Sequence, residues 1–485
     1  MNKQAMNPFL PADVYIPDGE AHVFGDRVYL YGSQDKERGE SFCMLPYVVW
    51  SAPVDDLSDW SNRGISYEAV QDPLYSEKRP HMYAPDCVKG NDGRYYLYYC
   101  LAGHRGAGGY DGPLSVAVCD TPDGEYKYYG VVKHKNGTPF NDVVLFDPAL
   151  INDNGTIRLY FGMCFPFENY GWLAKKVLER VQSNIFNRSL KEIRSNHGVM
   201  GAFTVTLADD MLTVTSYPVR LFPVKTKKTQ WEKHPFFEAA SIRKINDTYY
   251  FVYSSQRNHE LCYATSRFPD RDFSYRGVIV SNGDVGYLGR KEKDRANHTG
   301  TNHGGIEQIN GKWYIFYHRQ THGSDFSRQA CADLITIKND GSIEQIEITS
   351  CGLNGGALTA AGKFPATICC NLTNGKMPHG GNKSFKKLPS VSSGNGEQFV
   401  GNMVKGAAAI YKYFDLSAAK SITVTARGTG ELSVMCGGEA VGSASIDSQV
   451  WIDSRFEIKS NSQNETLCFK VLSGRLDILS FEFHQ

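Results

Sequence analysis

The sequence predicts an all-β molecule, a five-bladed β-propeller followed by a C-terminal β-sandwich of jelly-roll type. Three observations carry this expectation. A strand–turn–strand unit recurs five times before residue 350, and the spacing leaves room for a four-stranded sheet in each copy. Beyond residue 350 the repeat gives way to short strands separated by Gly-rich turns.

The unit is clearest in MYAPDCVKGNDGRYYLYYC, residues 82–100. There Asp86 interrupts an apolar start, Asn91-Asp92-Gly93 marks a turn, and residues 95–99 form an aromatic strand. The same design sets Asp18 before Gly25-Asp26, Asp147 before Asp153-Asn154-Gly155, Glu238 before Asn246-Asp247, and His303 before Asn310-Gly311. Asn/Asp-Gly turns signal hairpins because both central positions need positive φ. The five polar residues stand 68, 61, 91 and 65 apart. Five blades closed around an axis leave few exposed sheet edges.

If the first strand of each blade lines the axis, the polar heads converge at one end of a central funnel. A core strand can carry an acid where its head opens into a solvated pocket. One acid alone is better explained as a turn cap or as a bond to backbone amides between blades; the recurrence at one place in five copies is what points to a site. Residues 167–200 break the repeat as a charged insertion, read as a short helix and loop. The propeller is assigned to residues 1–350, and a linker plus sandwich to 351–485.

Composition narrows the function. The chain is 41% hydrophobic and 21% charged with no net charge, which gives no electrostatic reason to expect nucleic acid or membrane as a partner. The 12% aromatic share, with 28 Tyr, suits strands and sugar-stacking surfaces. No apolar run of about 18 residues and no signal-peptide stretch are visible, so the chain as given reads as cytoplasmic, as a trimmed exported protein also would. The twelve cysteines lack metal or CxxC spacing and read as reduced core thiols.

Carboxylates around a pocket suit metal binding or cleavage of an acetal. Glycoside hydrolysis needs one acid to protonate the leaving oxygen and one base to activate water or attack directly. Burial and a neighbouring negative charge keep the acid protonated, while a hydrogen-bonded partner stays ionised.

Pro17-Asp18, Tyr83-Ala84-Pro85-Asp86, the FDPAL of residues 146–150, the FFEAASI of 236–242 and the NHGG of 302–305 resemble, in order, the motifs of glycoside hydrolase family 43. That family comprises inverting α-L-arabinofuranosidases, β-xylosidases and endo-arabinanases on a five-bladed propeller. The resemblance implies that Asp18 is the general base, Glu238 the general acid, and Asp147 the residue that tunes and orients Glu238. It implies that Tyr83, in place of a more usual tryptophan, flanks the sugar and that Arg328 bonds it. It likens His303 to an axial histidine facing a calcium ion or a central water, although the chemistry requires no cofactor. Asp86 reads as structural. His234 and His259 are loop candidates for the pocket, and Trp451 and Tyr413 fit either a sugar surface or the core of a sandwich that faintly resembles carbohydrate-binding modules.

The expected activity is exo-acting, inverting release of terminal α-L-arabinofuranose from plant-derived oligosaccharides or polysaccharides, with β-D-xylosidase as the alternative. A retaining fructan hydrolase is disfavoured because its NDPNG and RDP motifs are absent. A non-catalytic sugar-binding propeller would be expected to lack one of the three acids. A metal-dependent phosphodiesterase or nuclease is disfavoured by the neutral charge and the lack of His/Asp clusters.

Overall fold

A computed structural model describes residues 4–103, 112–165, 171–194, 198–380, 385 and 388–485. Five antiparallel sheets follow one another along the chain. Their inner strands are Glu20–Phe24, His81–Lys89, Ala149–Asp153, Phe236–Ile245 and Ile306–Ile309. These touch in a ring, the fifth against the first, and a parallel bridge between Gly19 and Gly304 closes it. The molecule is a five-bladed β-propeller.

The hairpins form where the turn chemistry places them. Asn154, Asn246 and Asn310 take positive φ, as do Gly25, Gly93, Gly155 and Gly311. Apolar clusters fill the seams between blades all the way round: blades 5 and 1, 1 and 2, 2 through 4, and 4 and 5. Aromatic strands supply much of this packing, with Tyr96, Tyr98, Tyr99 and Tyr253 almost wholly buried. Burying an aromatic side chain stabilises by roughly 1.5–3 kcal/mol, so such strands hold the seams together.

Blades 1 to 4 are four-stranded, but the fifth has three strands rather than the expected four. The N-terminal segment runs along its outer edge. The Asn7 amide donates to the Ala332 carbonyl at 2.8 Å and accepts from the Ala332 N–H at 2.9 Å, and Phe9 N–H reaches Ala330 O at 3.4 Å. A side-chain amide thus pairs where a fourth strand would. The insertion in blade 3 contains two helices, Trp172–Ile185 and Leu190–Arg194. Residues 167–170 and 195–197 of that expected segment lie outside the described residues.

Past residue 357 the chain builds a nine-stranded network around a separate apolar cluster. Three long strands, Ser421–Cys436, Glu439–Glu457 and Glu465–His484, carry it, and the last pairs with four others along its 20 residues. This β-sandwich is hydrogen-bonded to the propeller. Asn297 donates to Cys370 O at 2.9 Å and accepts from Leu372 N–H at 2.6 Å, and Arg319 reaches Cys369 O at 3.1 Å. All twelve cysteines are free and ten are buried.

Candidate active site

The strand heads are set by a backbone device. Asp18, Ala84, Asp147 and Ala239 have φ of 58°, 32°, 47° and 65°, a left-handed conformation that costs energy for residues other than glycine. Neighbouring inner strands belong to different sheets, so the N–H groups at their heads need partners elsewhere. Side chains of the preceding blade supply them. Asp18 N–H donates to His318 Nδ1 at 3.1 Å, Ala84 N–H to Ser33 Oγ at 2.8 Å, and Ala239 N–H to Asp147 Oδ2 at 2.8 Å.

This register corrects the expectation that all five polar residues share one position. Asp18, Ala84, Asp147, Ala239 and His303 form one level. Glu238 precedes it by one residue and Asp86 lies two residues deeper, level with Glu20. Cross-strand pairs agree: Tyr83 and Asp86 face Cys100 and Tyr98 across an irregularity, as Glu238 and Ser241 face Ser254 and Val252.

A cavity of 730 Å³ opens at this level and is lined by Asp18, Asp147, Glu238, Tyr83, Arg328 and His303, among others. All six residues expected at the site from the sequence therefore meet in it. Phe42, Phe146, Phe165 and Phe237 add aromatic wall. His259 also lines the cavity. His234 instead stacks on Tyr275 at 5.7 Å and faces Glu260 at 3.7 Å. Trp451 Nε1–H donates to Glu397 at 2.8 Å under the Arg427 guanidinium, and Tyr413 donates to Glu347, so neither reaches the cavity.

The electrostatics separate the acids. Burial raises the Asp18 carboxyl, but Arg328 above all, then His318 and His303, bring it below the usual range. The Arg328 guanidinium is itself fixed: it donates to Asp18 Oδ1 at 2.9 Å and to both Asp35 oxygens at 2.8 and 3.0 Å, and stacks over Phe42. Burial and the Asp18 charge push Glu238 up to about 8, against the pull of Arg328. Burial, Glu238 and Asp18 likewise raise Asp147 well above its ordinary value. Asp147 and Glu238 are thus a coupled pair that holds a proton through neutral pH. The Ala239 N–H on Asp147 Oδ2 favours Asp147 as the ionised member and leaves the proton to Glu238. Among the described residues, no hydrogen bond joins Asp18 to Glu238.

His303 divides this cavity from a deeper polar layer. Its Nδ1 is 3.7 Å from Asp147 and its Nε2 is 3.9 Å from Glu20 Oε1. Below it, Glu20, His22 and Asp86 cluster within 4.8 Å. Asp86 is spent on His22 at 2.6 Å and the Leu150 N–H at 2.6 Å. Glu20 Oε2 takes Ser241 at 3.0 Å and Arg243 at 3.2 Å. Only Glu20 Oε1 and His303 Nε2 are buried there without a partner among the described residues. Calcium takes six to eight oxygens. The side chains there offer one free carboxylate oxygen beside a guanidinium, so water would have to supply nearly the whole shell of a calcium ion held at His303.

Sequence reasoning missed Asp35, His318 and His379. No repeat marks them: Asp35 and His379 sit on connections between strands, and His318 lies within the buried aromatic strand Lys312–Gln320.

The sequence profile of Glycosyl hydrolases family 43 matches residues 5–169 and 186–343. A xylosidase/arabinosidase of Thermoclostridium stercorarium is 41% identical over 503 aligned residues, covering 99% of each chain. Xylosidase/arabinosidase 43A of Humicola insolens is 28% identical over 69% of this chain and 97% of its own. Among solved structures, a β-xylosidase/α-arabinofuranosidase from a compost metagenome, in complex with xylotriose, has 26% identity and a TM-score of 0.53 over 71% of this chain and 98% of its own. An arabinoxylan arabinofuranohydrolase of Bacillus subtilis shares the fold across 100% of this chain and 98% of its own, at 19% identity and a TM-score of 0.51. Propeller, ordered motifs and carboxylate cavity thus have one common source: the chain belongs to glycosyl hydrolases family 43 and is a glycosidase.

Proposed function

We propose that this glycosidase is exo-acting and inverting, and that it releases terminal α-L-arabinofuranose from arabinose- and xylose-containing oligosaccharides. Asp18 is the general base, Glu238 the general acid, and Asp147 holds Glu238 in place and keeps it protonated. The observation that carries this reading is the opposite perturbation of two carboxylates in one cavity, Asp18 down and Glu238 up.

In the single step, Asp18 takes a proton from water as the water oxygen bonds to the anomeric carbon. The bond from that carbon to the leaving oxygen breaks, and Glu238 delivers its proton to that oxygen. The water attacks from the face opposite the leaving group, so the anomeric configuration inverts. This needs roughly 6.5–9.5 Å between base and acid to hold the water. Arg328 fixes Asp18 as an ionised acceptor. Tyr83 is anchored through its hydroxyl to Gly103 O at 3.1 Å and presents its ring to the cavity. No step passes through a metal.

The second reading, β-D-xylosidase, is favoured by relatives whose names carry both activities. Rates on nitrophenyl α-L-arabinofuranoside and nitrophenyl β-D-xyloside decide between them. NMR of the first product then tests the mechanism: inversion gives the β-arabinofuranose first, and early α-anomer refutes the assignment of Asp18.

A further inference from the structure

The cavity is not made by the propeller alone. His379 and Gly380, which follow the sandwich strand Asn371–Thr373, also line it. Their backbone is bonded to blade 5's approach: Thr299 N–H donates to Pro378 O at 3.2 Å, and Gly380 N–H to Thr299 O at 2.7 Å. The His379 Nδ1 pairs with the Thr299 hydroxyl at 2.9 Å, which leaves Nε2 as the ring's remaining polar atom. The ring stacks on His259 at 5.2 Å and 22°, and His259 meets Phe237 edge-on at 5.0 Å.

The position of this pair relative to the acid gives it a role. Ser254 faces Glu238 across the hairpin, and its hydroxyl lies 3.3 Å from His259 Nδ1. The histidines therefore stand on the side of the cavity that holds Glu238, whereas Asp18 is tied to Arg328 and Asp35. A general acid sits beside the leaving oxygen, so the sugar that departs lies on that side.

We propose that His259 and His379 form the leaving-group side of the cavity, and that His379 binds a hydroxyl of a neutral pyranose there, making oligosaccharide cleavage depend on the segment that follows the propeller. Burial and the neighbouring Arg295 and His298 lower His379, and burial pushes His259 down to about 3. Neutral imidazoles offer one donor and one acceptor each and no charge for a uronate. The inference rests on Glu238 as the acid.

The test compares His379→Ala with the unaltered full chain on nitrophenyl α-L-arabinofuranoside and on an arabinofuranosyl xylotriose. Loss of one hydrogen bond to the leaving sugar lowers kcat/KM on the oligosaccharide about tenfold, mainly through KM, and costs the aryl glycoside much less. His379→Gln, which keeps a polar atom, recovers part of the loss. Equal losses on both substrates, or none on the oligosaccharide, overturn the proposal. Calorimetric binding of xylotriose to the two proteins gives an independent reading: equal affinity overturns the proposal, and weaker binding to His379→Ala supports it. If the unaltered chain cleaves neither substrate, the proposed function fails instead, and the calorimetry still decides this inference.

Discussion

If Asp18 is the base, removing the cation beside it should move the whole pH profile upward. Arg328 is buried with its nitrogen 2.9 Å from Asp18 Oδ1. Replacing it alone strands Asp35, also buried, and breaking such a pair costs roughly 3–5 kcal/mol. The informative variant is therefore Arg328→Met with Asp35→Asn, whose amide oxygen can still accept the Cys43 N–H, a bond of 2.9 Å. Two unit charges 4 Å apart attract by about 4 kcal/mol at an effective dielectric of 20. That is an upper bound of about three pH units on the Asp18 carboxyl.

The sign follows from the direction of the shift. Asp18 is held low and must be ionised to act, so activity fails as pH falls through its pKa. Without Arg328 that acid limb rises, by about 1 to 3 pH units. Arg328 also pulls Glu238 down, so the alkaline limb rises too. The assay is kcat/KM on nitrophenyl arabinofuranoside from pH 3 to pH 10, with circular dichroism to establish folding. A folded variant whose acid limb stays in place refutes Arg328 as the group that holds Asp18 ionised.

Glu238→Gln should lose about 10²–10⁴-fold on disaccharides and far less on aryl glycosides with good leaving groups, and equal losses would remove it as the acid. Asp147→Asn should lower the alkaline limb, because it removes a negative neighbour that keeps Glu238 protonated; an unshifted limb argues against the coupling. Gly162→Ala should lower the unfolding midpoint, since its Cβ would stand 1.9 Å from the Gly201 carbonyl at a φ of +132°. Strain of that kind costs about 1–3 kcal/mol, and an unchanged midpoint in a thermal melt refutes it.

The hairpins and their polar heads were legible because turn chemistry is local: Asp153-Asn154-Gly155 and Asn310-Gly311 announce their own conformation. The level of each head was not. It depends on which N–H a neighbouring blade satisfies, and the bond from Asp18 to His318 spans 300 residues. Asp86 looked equivalent to Asp18 in the pattern, yet an irregularity after Tyr83 sinks it two residues toward His22. Blade 5 misled for a related reason. Asn7 and Phe9 occupy the outer edge with side-chain and single backbone bonds, which leave no strand periodicity to read. His379 was hidden because residues 374–380 carry mainly polar and turn signals, and its place on the Glu238 side of the cavity comes from pairing with Thr299.

Asp18 and Asp147 show how one backbone position yields two chemistries. Both have left-handed φ, both stand two residues ahead of an inner strand, and both are buried in the same cavity. Burial alone would raise both carboxyls. What separates them is their company. Asp18 faces a guanidinium that Asp35 holds rigidly, and this cation with His318 and His303 outweighs burial. Asp147 faces Glu238, one residue ahead of the same level on the next blade, and the Ala239 N–H and, more weakly, Arg328 do not offset burial and the repulsion. A proton retained near neutral pH must then sit on the Asp147–Glu238 side and not on Asp18. On the proposed assignment, the division of labour between base and acid is therefore set chiefly by one arginine on blade 5, which stands nearest to only one of the carboxylates.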